Sequence, residues 1–263
     1  MKLRTGPASR LLVVCDIDGT LTFTGRRPEP RVLAQLVALA SRGPRVRIAV
    51  ATSRSSRNVL AWFPELLHRL DRICCHGALT ITADRISRVP VPVESLEVVV
   101  GRLADLGADY CLERGTHFAA SDAGALPWLG TTHRYVLPGL PARSDLTGVV
   151  MCSVADAEQA AEAVRDVAGV SLVPNAGHAD VVAAGVDKAR ALAELREPDD
   201  HVVVLGNDHE DLPMLLAADR AYVVGGDLAG LDELPHISRA PATAIGVGDV
   251  LAQLELPALR SAL

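Results

Sequence analysis

"LLVVCDIDGTLT", residues 11–22, runs an unbroken apolar stretch into Asp16, sets a second carboxylate at Asp18, and turns at Gly19-Thr20. An apolar run without alternation marks a strand covered on both faces, as in a parallel sheet flanked by helices. Similar runs recur at 46–51 (VRIAVA), 202–205 (VVVL) and 221–224 (AYVV). Helical patterns lie between them: 30–42, opened by Pro30 and stopped at Gly43-Pro44; 56–70, which Pro64 kinks or splits; 187–196; and 209–218, with Pro213 in its first turn. Strands alternating with helices predict right-handed βαβ units and an α/β fold.

The middle of the chain reads differently. Helical patterns at 93–106 and 155–168 are interleaved with strand-like pieces at 107–112, 116–120, 147–153, 169–173 and 179–183, and a Pro/Gly-rich stretch runs from Gly124 to Ser144. This is an α+β insertion after the second or third strand of the parallel sheet. The division it predicts is a core of residues 1–79 and 185–263 and an inserted domain of residues 80–184.

Composition limits the function. With 263 residues, 49% of them hydrophobic, the chain can build one large and one small domain. A formal charge of −6 and the lack of a basic run speak against nucleic acid, and no apolar stretch reaches the roughly 18 residues of a membrane helix. We expect a cytoplasmic protein, monomer or homodimer, acting on a small molecule. The five cysteines (Cys15, Cys74, Cys75, Cys111, Cys152) show no CxxC spacing and are expected to be reduced and buried. Of 26 basic residues only Lys2 and Lys188 are lysines, so Lys188 stands out against an arginine background.

In an open parallel sheet, ligands bind beyond the carboxyl ends of the strands. Three of the apolar runs end on polar residues there: Asp16 and Asp18; Thr52, Ser53 and Arg54; Asn207 and Asp208. Asp16 and Asp18 project the same way from an extended strand. Two carboxylates held close raise each other's pKa unless a cation sits between them. Hard oxygen donors at this spacing suit Mg²⁺, which keeps waters and favours phosphate partners. No glycine-rich nucleotide loop of the GxxxxGK[ST] or GxGxxG type follows a strand.

Four motifs carry a family resemblance. "DIDGTLT" resembles the first motif of the haloacid dehalogenase (HAD) superfamily, "VATSR" the second, "VDKARAL" the third and "LGNDHEDLPML" the fourth. The insertion between the second and third is similar to a C2 cap, most like that of the Cof-type or IIB subgroup. That subgroup includes sugar phosphatases, trehalose- and sucrose-phosphate phosphatases and phosphomannomutases. "ICCHGALTI" resembles the segment just before the cap, with His76 in place of the usual asparagine. The resemblance implies a Rossmann-like core and a Mg²⁺-dependent phosphomonoester hydrolase.

It also implies roles. Asp16 would be the nucleophile that forms an aspartyl-phosphate, and Asp18 the general acid and base. Mg²⁺ would be held by Asp16, the backbone carbonyl of Asp18, and Asn207 or Asp208. Thr52, through its hydroxyl and its backbone N–H at a helix start, would hold a phosphoryl oxygen together with Ser53. Lys188 would bring a compact charge to nucleophile and phosphate. In the fourth motif the usual metal-binding aspartate has become Asn207, an uncharged ligand, which leaves Asp211 as a partner of Lys188 or of metal-bound water.

Substrate recognition is expected from the cap: Arg114 and His117 on a hairpin, and Asn175, His178 and Asp180 in "VPNAGHADVV", polar groups of the kind a sugar or polyol phosphate requires. Trp128 and His133 form either a stacking platform or a loop anchor. Two alternatives stand beside the phosphatase: a hexose phosphomutase, which needs cap arginines such as Arg114, Arg134 and Arg143 for a distal phosphate, and a member that binds phosphorylated ligands without turning them over.

Overall fold

The first strand, β1 (Arg10–Cys15), is buried from Leu11 onward because helices cover both of its faces. The computed structural model describes residues 10–175, 177–226 and 228–255. After β1 come α1 (Pro30–Ala40), β2 (Val46–Ala51), α2 (Ser56–Trp62), β3 (Leu70–Cys74), β4 (Leu79–Ile81) and β5 (Ile86–Arg88). The inserted unit follows, with α3 (Val93–Asp105), β6 (Tyr110–Glu113), β7 (Phe118–Ala120), β8 (Arg134–Val136), α4 (Arg143–Leu146), β9 (Met151–Val154), α5 (Ala157–Val164), β10 (Val170–Asn175) and β11 (His178–Ala183). The chain then returns through α6 (Lys188–Leu195), β12 (Asp200–Gly206), α7 (Leu212–Ala217), β13 (Arg220–Val224), β14 (Ile237–Ala240) and α8 (Ala244–Gln253).

The core sheet has the order β14-β13-β12-β1-β2-β3-β4-β5, parallel as far as β3 and antiparallel beyond it. Alternation sorts its side chains into two layers. Leu11, Val13 and Cys15 pack with Val32, Leu36 and Leu39 of α1 and Val247 and Leu251 of α8. Leu12 and Val14 pack on the other face with Leu192 and Leu195 of α6 and Met214 and Leu215 of α7. Each fully buried Leu or Val contributes about 1.5–3 kcal/mol, so the central strand is a firmly packed platform for the carboxylates at its end.

The second sheet, ordered β10-β11-β9-β6-β7-β8, is antiparallel except for the β7–β8 pair. On one face Tyr110, Leu112, Cys152, Val154, Ala179 and Val181 meet Leu96, Val99 and Leu103 of α3 and Ala160 and Ala163 of α5. The residues between them, Cys111, Glu113, Met151, Ser153 and Asp180, line a cleft against the core.

Several sequence-based boundaries move. The core sheet runs on through Arg88, so the predicted division at 79/80 falls inside its antiparallel edge, β4 and β5. The predicted helix 56–70 ends at Trp62: a proline lacks the N–H that a helix interior needs, and Pro64–Leu66 form a separate 3₁₀ turn. The helix expected from 209 begins at Leu212, because Asp208–Asp211 form a tight loop before it. Strands β3, β4, β5, β8 and β14 and helix α8 had no counterpart in the sequence reading. The cysteines are free and buried. No helix among the described residues is long and apolar enough to cross a membrane.

Candidate active site

β1 delivers Asp16 to the sheet's carboxyl edge, where it is buried, its side chain 6% exposed. Lys188, the first residue of α6, reaches it with Nζ 2.8 Å from Asp16 Oδ1. The same ammonium lies 2.8 Å from Asp211 Oδ1. The other oxygen of Asp211 accepts the backbone N–H of Asn207 at 2.9 Å and that of Asp208 at 3.4 Å, so this fully buried carboxylate fixes both the lysine and the loop after β12. Gly206 is needed for that approach: a Cβ there would stand 2.7 Å from Asp211 Cβ.

Burial pushes the Asp16 carboxyl up to about 8 against the pull of Lys188, and Asp211 adds to the rise. Burial opposes the Lys188 charge as well, yet Asp16 and Asp211 outweigh it and hold the ammonium above its ordinary range. The pair is ionised. The ammonium lies 2.8 Å from an oxygen of each carboxylate, and the charges of Asp16 and Asp211 favour its protonated form.

Asn207 faces the other side of Asp16. Its side-chain terminus lies 2.9 Å from the carbonyl oxygen of Asp18, 2.8 Å from Thr20 Oγ1 and 3.1 Å from Asp16 Oδ2. With nitrogen turned inward the amide donates to these oxygens. With oxygen turned inward it accepts from Thr20 and stands against two further acceptors, a repulsive arrangement unless a cation lies among them. Oxygens about 2.1 Å from an octahedral Mg²⁺ are about 3.0 Å apart along an edge. The Asn207 terminus stands at that spacing from the Asp18 carbonyl oxygen and from Asp16 Oδ2, and with its amide oxygen inward all three are hard donors, so the residues present fit the ion. The set mixes one carboxylate with a peptide carbonyl and an amide, and among the described residues no group of three or more His, Cys, Asp or Glu that could hold a metal occurs. Asp208 faces elsewhere: its Oδ1 accepts the N–H of Glu210 at 2.9 Å and closes the turn into α7.

The loop after β2 forms the opposite wall. Thr52 is buried, but its backbone N–H donates to Ile73 O at 2.9 Å as part of the sheet, and α2 begins only at Ser56. The expected helix-start N–H at Thr52 is therefore not available; its hydroxyl accepts the N–H of Arg54 at 3.2 Å. Arg54, to which the sequence assigns a place at the strand end but no role, grips both oxygens of Asp18, Nε–Oδ2 at 2.6 Å and Nη2–Oδ1 at 2.8 Å, and stacks on Trp62 at 4.1 Å. The turn at 75–77 ties this loop down, with Cys75 N donating to Arg54 O and His76 N to Thr52 O. Ser53 lies beside Asp18 in the cleft wall.

Core and cap enclose a cleft of about 350 Å³ that begins at Asp18. His76 joins the two: Nε2 lies 2.9 Å from Asp180 Oδ2 on the cap and Nδ1 3.0 Å from Glu210 Oε2 on the core. Arg57 of α2 pairs with Glu113 of the cap, lies 4.2 Å over the Phe118 ring, and donates to Thr132 O. Asn175, His178 and Asp180 line the cleft, and Trp128 stands at its margin with its ring 5.6 Å from that of His178. Arg114 and His117 do not line it: Arg114 donates to Ser144 O, and His117 is exposed beside Thr116. Nor does His133.

A buried carboxylate, its lysine partner and oxygens that fit a cation gather at one strand edge beside a cleft, and the family profile of haloacid dehalogenase-like hydrolases matches residues 13–227. The chain belongs to this family. No curated protein matches the sequence. Among solved structures, a haloacid dehalogenase-like hydrolase from Bacteroides thetaiotaomicron is 18% identical with a TM-score of 0.78, covering 92% of this chain and 98% of that one. A haloacid dehalogenase-like hydrolase from B. subtilis is 14% identical with a TM-score of 0.75, covering 93% and 99%. A HAD subclass IIB sugar phosphatase is 16% identical with a TM-score of 0.71, covering 92% and 97%. These hydrolases share this chain's fold, a Rossmann-like core with an inserted cap.

Proposed function

We propose that this hydrolase cleaves a small phosphomonoester, a sugar or polyol phosphate, through an aspartyl-phosphate on Asp16. The observation that carries the reading is Asp16 itself: a buried carboxylate at the end of the central strand, 2.8 Å from Lys188 and two residues before Asp18, which lines the cleft. Attack by Asp16 on phosphorus splits hydrolysis into two displacements. Lys188 holds the carboxylate in place and offers its charge to the phosphoryl oxygens. Asp18 gives a proton to the departing alkoxide and takes one from the water that follows. Thr52 Oγ and Ser53 border the phosphoryl position, and Arg54 orients Asp18. Asp16 Oδ2, the Asp18 carbonyl and Asn207 would hold Mg²⁺, which supplies positive charge against the phosphoryl oxygens when bound.

The cap supports a monophosphate as substrate. A mutase needs cap guanidiniums for a second phosphate, and those of Arg114, Arg134 and Arg143 are engaged with Ser144 O, with Asp122 O and Ala125 O, and with Glu94 and Glu97. The test is phosphate release from a panel of sugar, polyol and nucleotide monophosphates with Mg²⁺ and with EDTA. Metal-dependent release with a hydroxylated favourite is expected. Silence from folded protein that still binds these ligands would favour a binding member instead.

A further inference from the structure

Among the described residues, two ionic contacts tie the cap to the core, and both land on the stretch of core that carries Arg54. In the first, His76 stands between two acids, Nε2 2.9 Å from Asp180 Oδ2 on β11 and Nδ1 3.0 Å from Glu210 Oε2 in the loop before α7. Asp180 is fixed in turn by Ser153 Oγ at 2.5 Å and Asn175 Nδ2 at 2.9 Å, with His178 Nε2 at 3.9 Å. In the second, Arg57 pairs with Glu113 on β6, donates to Thr132 O at 3.2 Å and lies 4.2 Å over the Phe118 ring. The side chains of both pairs are at most 8% exposed, so water screens neither.

The path from these contacts to Asp18 is short. The turn that carries His76 donates Cys75 N–H to Arg54 O at 3.0 Å and His76 N–H to Thr52 O at 3.2 Å. Its backbone is left-handed at two successive non-glycine residues, Cys75 (φ 52°) and His76 (φ 58°). Such conformations persist only where their surroundings over-determine them, and here the ring is held at both nitrogens. Arg57 lies three residues after Arg54, in the first turn of α2. Residues 52–57 are therefore pinned at Thr52 and Arg54 by the turn and at Arg57 by the cap, and the Arg54 side chain that leaves this stretch holds both oxygens of Asp18. Neither His76 nor Arg57 lines the cleft, so neither is placed to meet the substrate.

Resting on the phosphatase reading, we propose that His76 and Arg57 are positioning residues for proton transfer at Asp18, acting through Arg54. The cap contacts hold segment 52–57, the segment aims the guanidinium, and the guanidinium aims the acid. Histidine at position 76 presents a ring nitrogen to each of two acids, one on the cap and one on the core, where an asparagine amide would bring no charge.

Leaving groups of different basicity test this. A departing alkoxide needs the proton of Asp18, whereas p-nitrophenolate leaves with little help. The ratio of kcat/KM for the preferred alkyl monophosphate to that for p-nitrophenyl phosphate therefore reads the aim of Asp18, because kcat/KM covers only the steps up to phosphoryl transfer. His76→Asn keeps a residue that tolerates the left-handed turn but removes the ring. Arg57→Lys keeps the charge but not the fork, and it carries the test if the first variant does not fold. Each should lower the ratio about tenfold, with the alkyl substrate bearing the loss. In an Arg54→Ala background the same substitutions should leave the ratio where Arg54→Ala has put it. Equal loss on both substrates would assign His76 and Arg57 to structure alone, and no loss would make the contacts idle in turnover. A fall in the ratio that persists undiminished without Arg54 would mean a route that bypasses the clamp. Any of these overturns the proposal, while hydrolysis by the wild type leaves the phosphatase standing; a wild type that releases phosphate from no substrate removes both.

Discussion

The Arg54 guanidinium holds both carboxylate oxygens of Asp18 in a two-pronged ion pair, Nε–Oδ2 at 2.6 Å and Nη2–Oδ1 at 2.8 Å, while its plane rests on Trp62. The pair is half-open to the cleft, with side-chain exposures of 24% and 41%. Asp18 is the proposed acid and base, so this clamp fixes its direction and must release one oxygen when a proton passes.

Arg54→Lys replaces a planar fork by a point charge that can neither grip both oxygens nor stack on Trp62 in the same way. We expect kcat to fall at least about tenfold from the misplaced Asp18. Steady-state kinetics on the preferred phosphate measures it, and an unchanged kcat would show that the clamp is idle in turnover.

Lys188→Arg should be nearly as damaging as Lys188→Ala. The lysine side chain is 4% exposed with its ammonium 2.8 Å from two carboxylates, a point-charge geometry that a planar fork does not reproduce. Removing the charge strands Asp16 and Asp211 in a dry site, which typically destabilises by about 3–5 kcal/mol when ion pairs are broken this way. Activity assays and thermal melts of both variants test this; a fully active arginine variant would refute the need for a point charge.

His76 makes stability depend on pH. Burial opposes its charge, but the hydrogen bonds and charges of Asp180 and Glu210 outweigh that and raise its pKa from 6.5 to about 9. A raised pKa in the folded state means that the stabilisation is fully present below about pH 6.5 and is lost as pH climbs through about 9. The shift corresponds to about 3 kcal/mol. Denaturant melts between pH 6.5 and 9.5 should show the wild type losing its advantage over His76→Gln across this window; parallel curves would mean the bridge does not titrate there.

Asn207→Asp should tighten Mg²⁺ binding about tenfold, since it adds a negative charge to an oxygen set already spaced for the ion. Calorimetric titration with Mg²⁺ reads this directly. Unchanged affinity would move the ligand to a neighbouring residue such as Asp208.

The core was legible because its central strands are apolar on both faces: 11–15, 46–51 and 202–205 could hardly be anything else, and each ends on residues that reach the site. The edge was harder. β5 holds Ile86, Ser87 and Arg88, too short and too polar to separate from a loop, and it joins the core sheet only through its register with β4. Asp16 and Lys188 were readable as a buried acid and a singular lysine. Arg54 was hidden in an arginine-rich chain, and its role depends on Trp62, eight residues on. Glu113 and Ser153 emerge only when strand alternation is combined with knowledge of which cap face meets the core. Thr52 misled because a polar residue after a strand resembles a helix start, whereas its N–H belongs to the sheet.

Phosphorylation of Asp16 is the central step of the proposed reaction. Rapid acid quench of wild type and Asp16→Asn during turnover of the preferred phosphate, followed by peptide mass spectrometry, tests it directly. Expected are a phosphoryl group on the Asp16 peptide of the wild type and a folded, inactive Asp16→Asn that carries none. Turnover by Asp16→Asn, or a phosphoryl group captured on another residue, would contradict it.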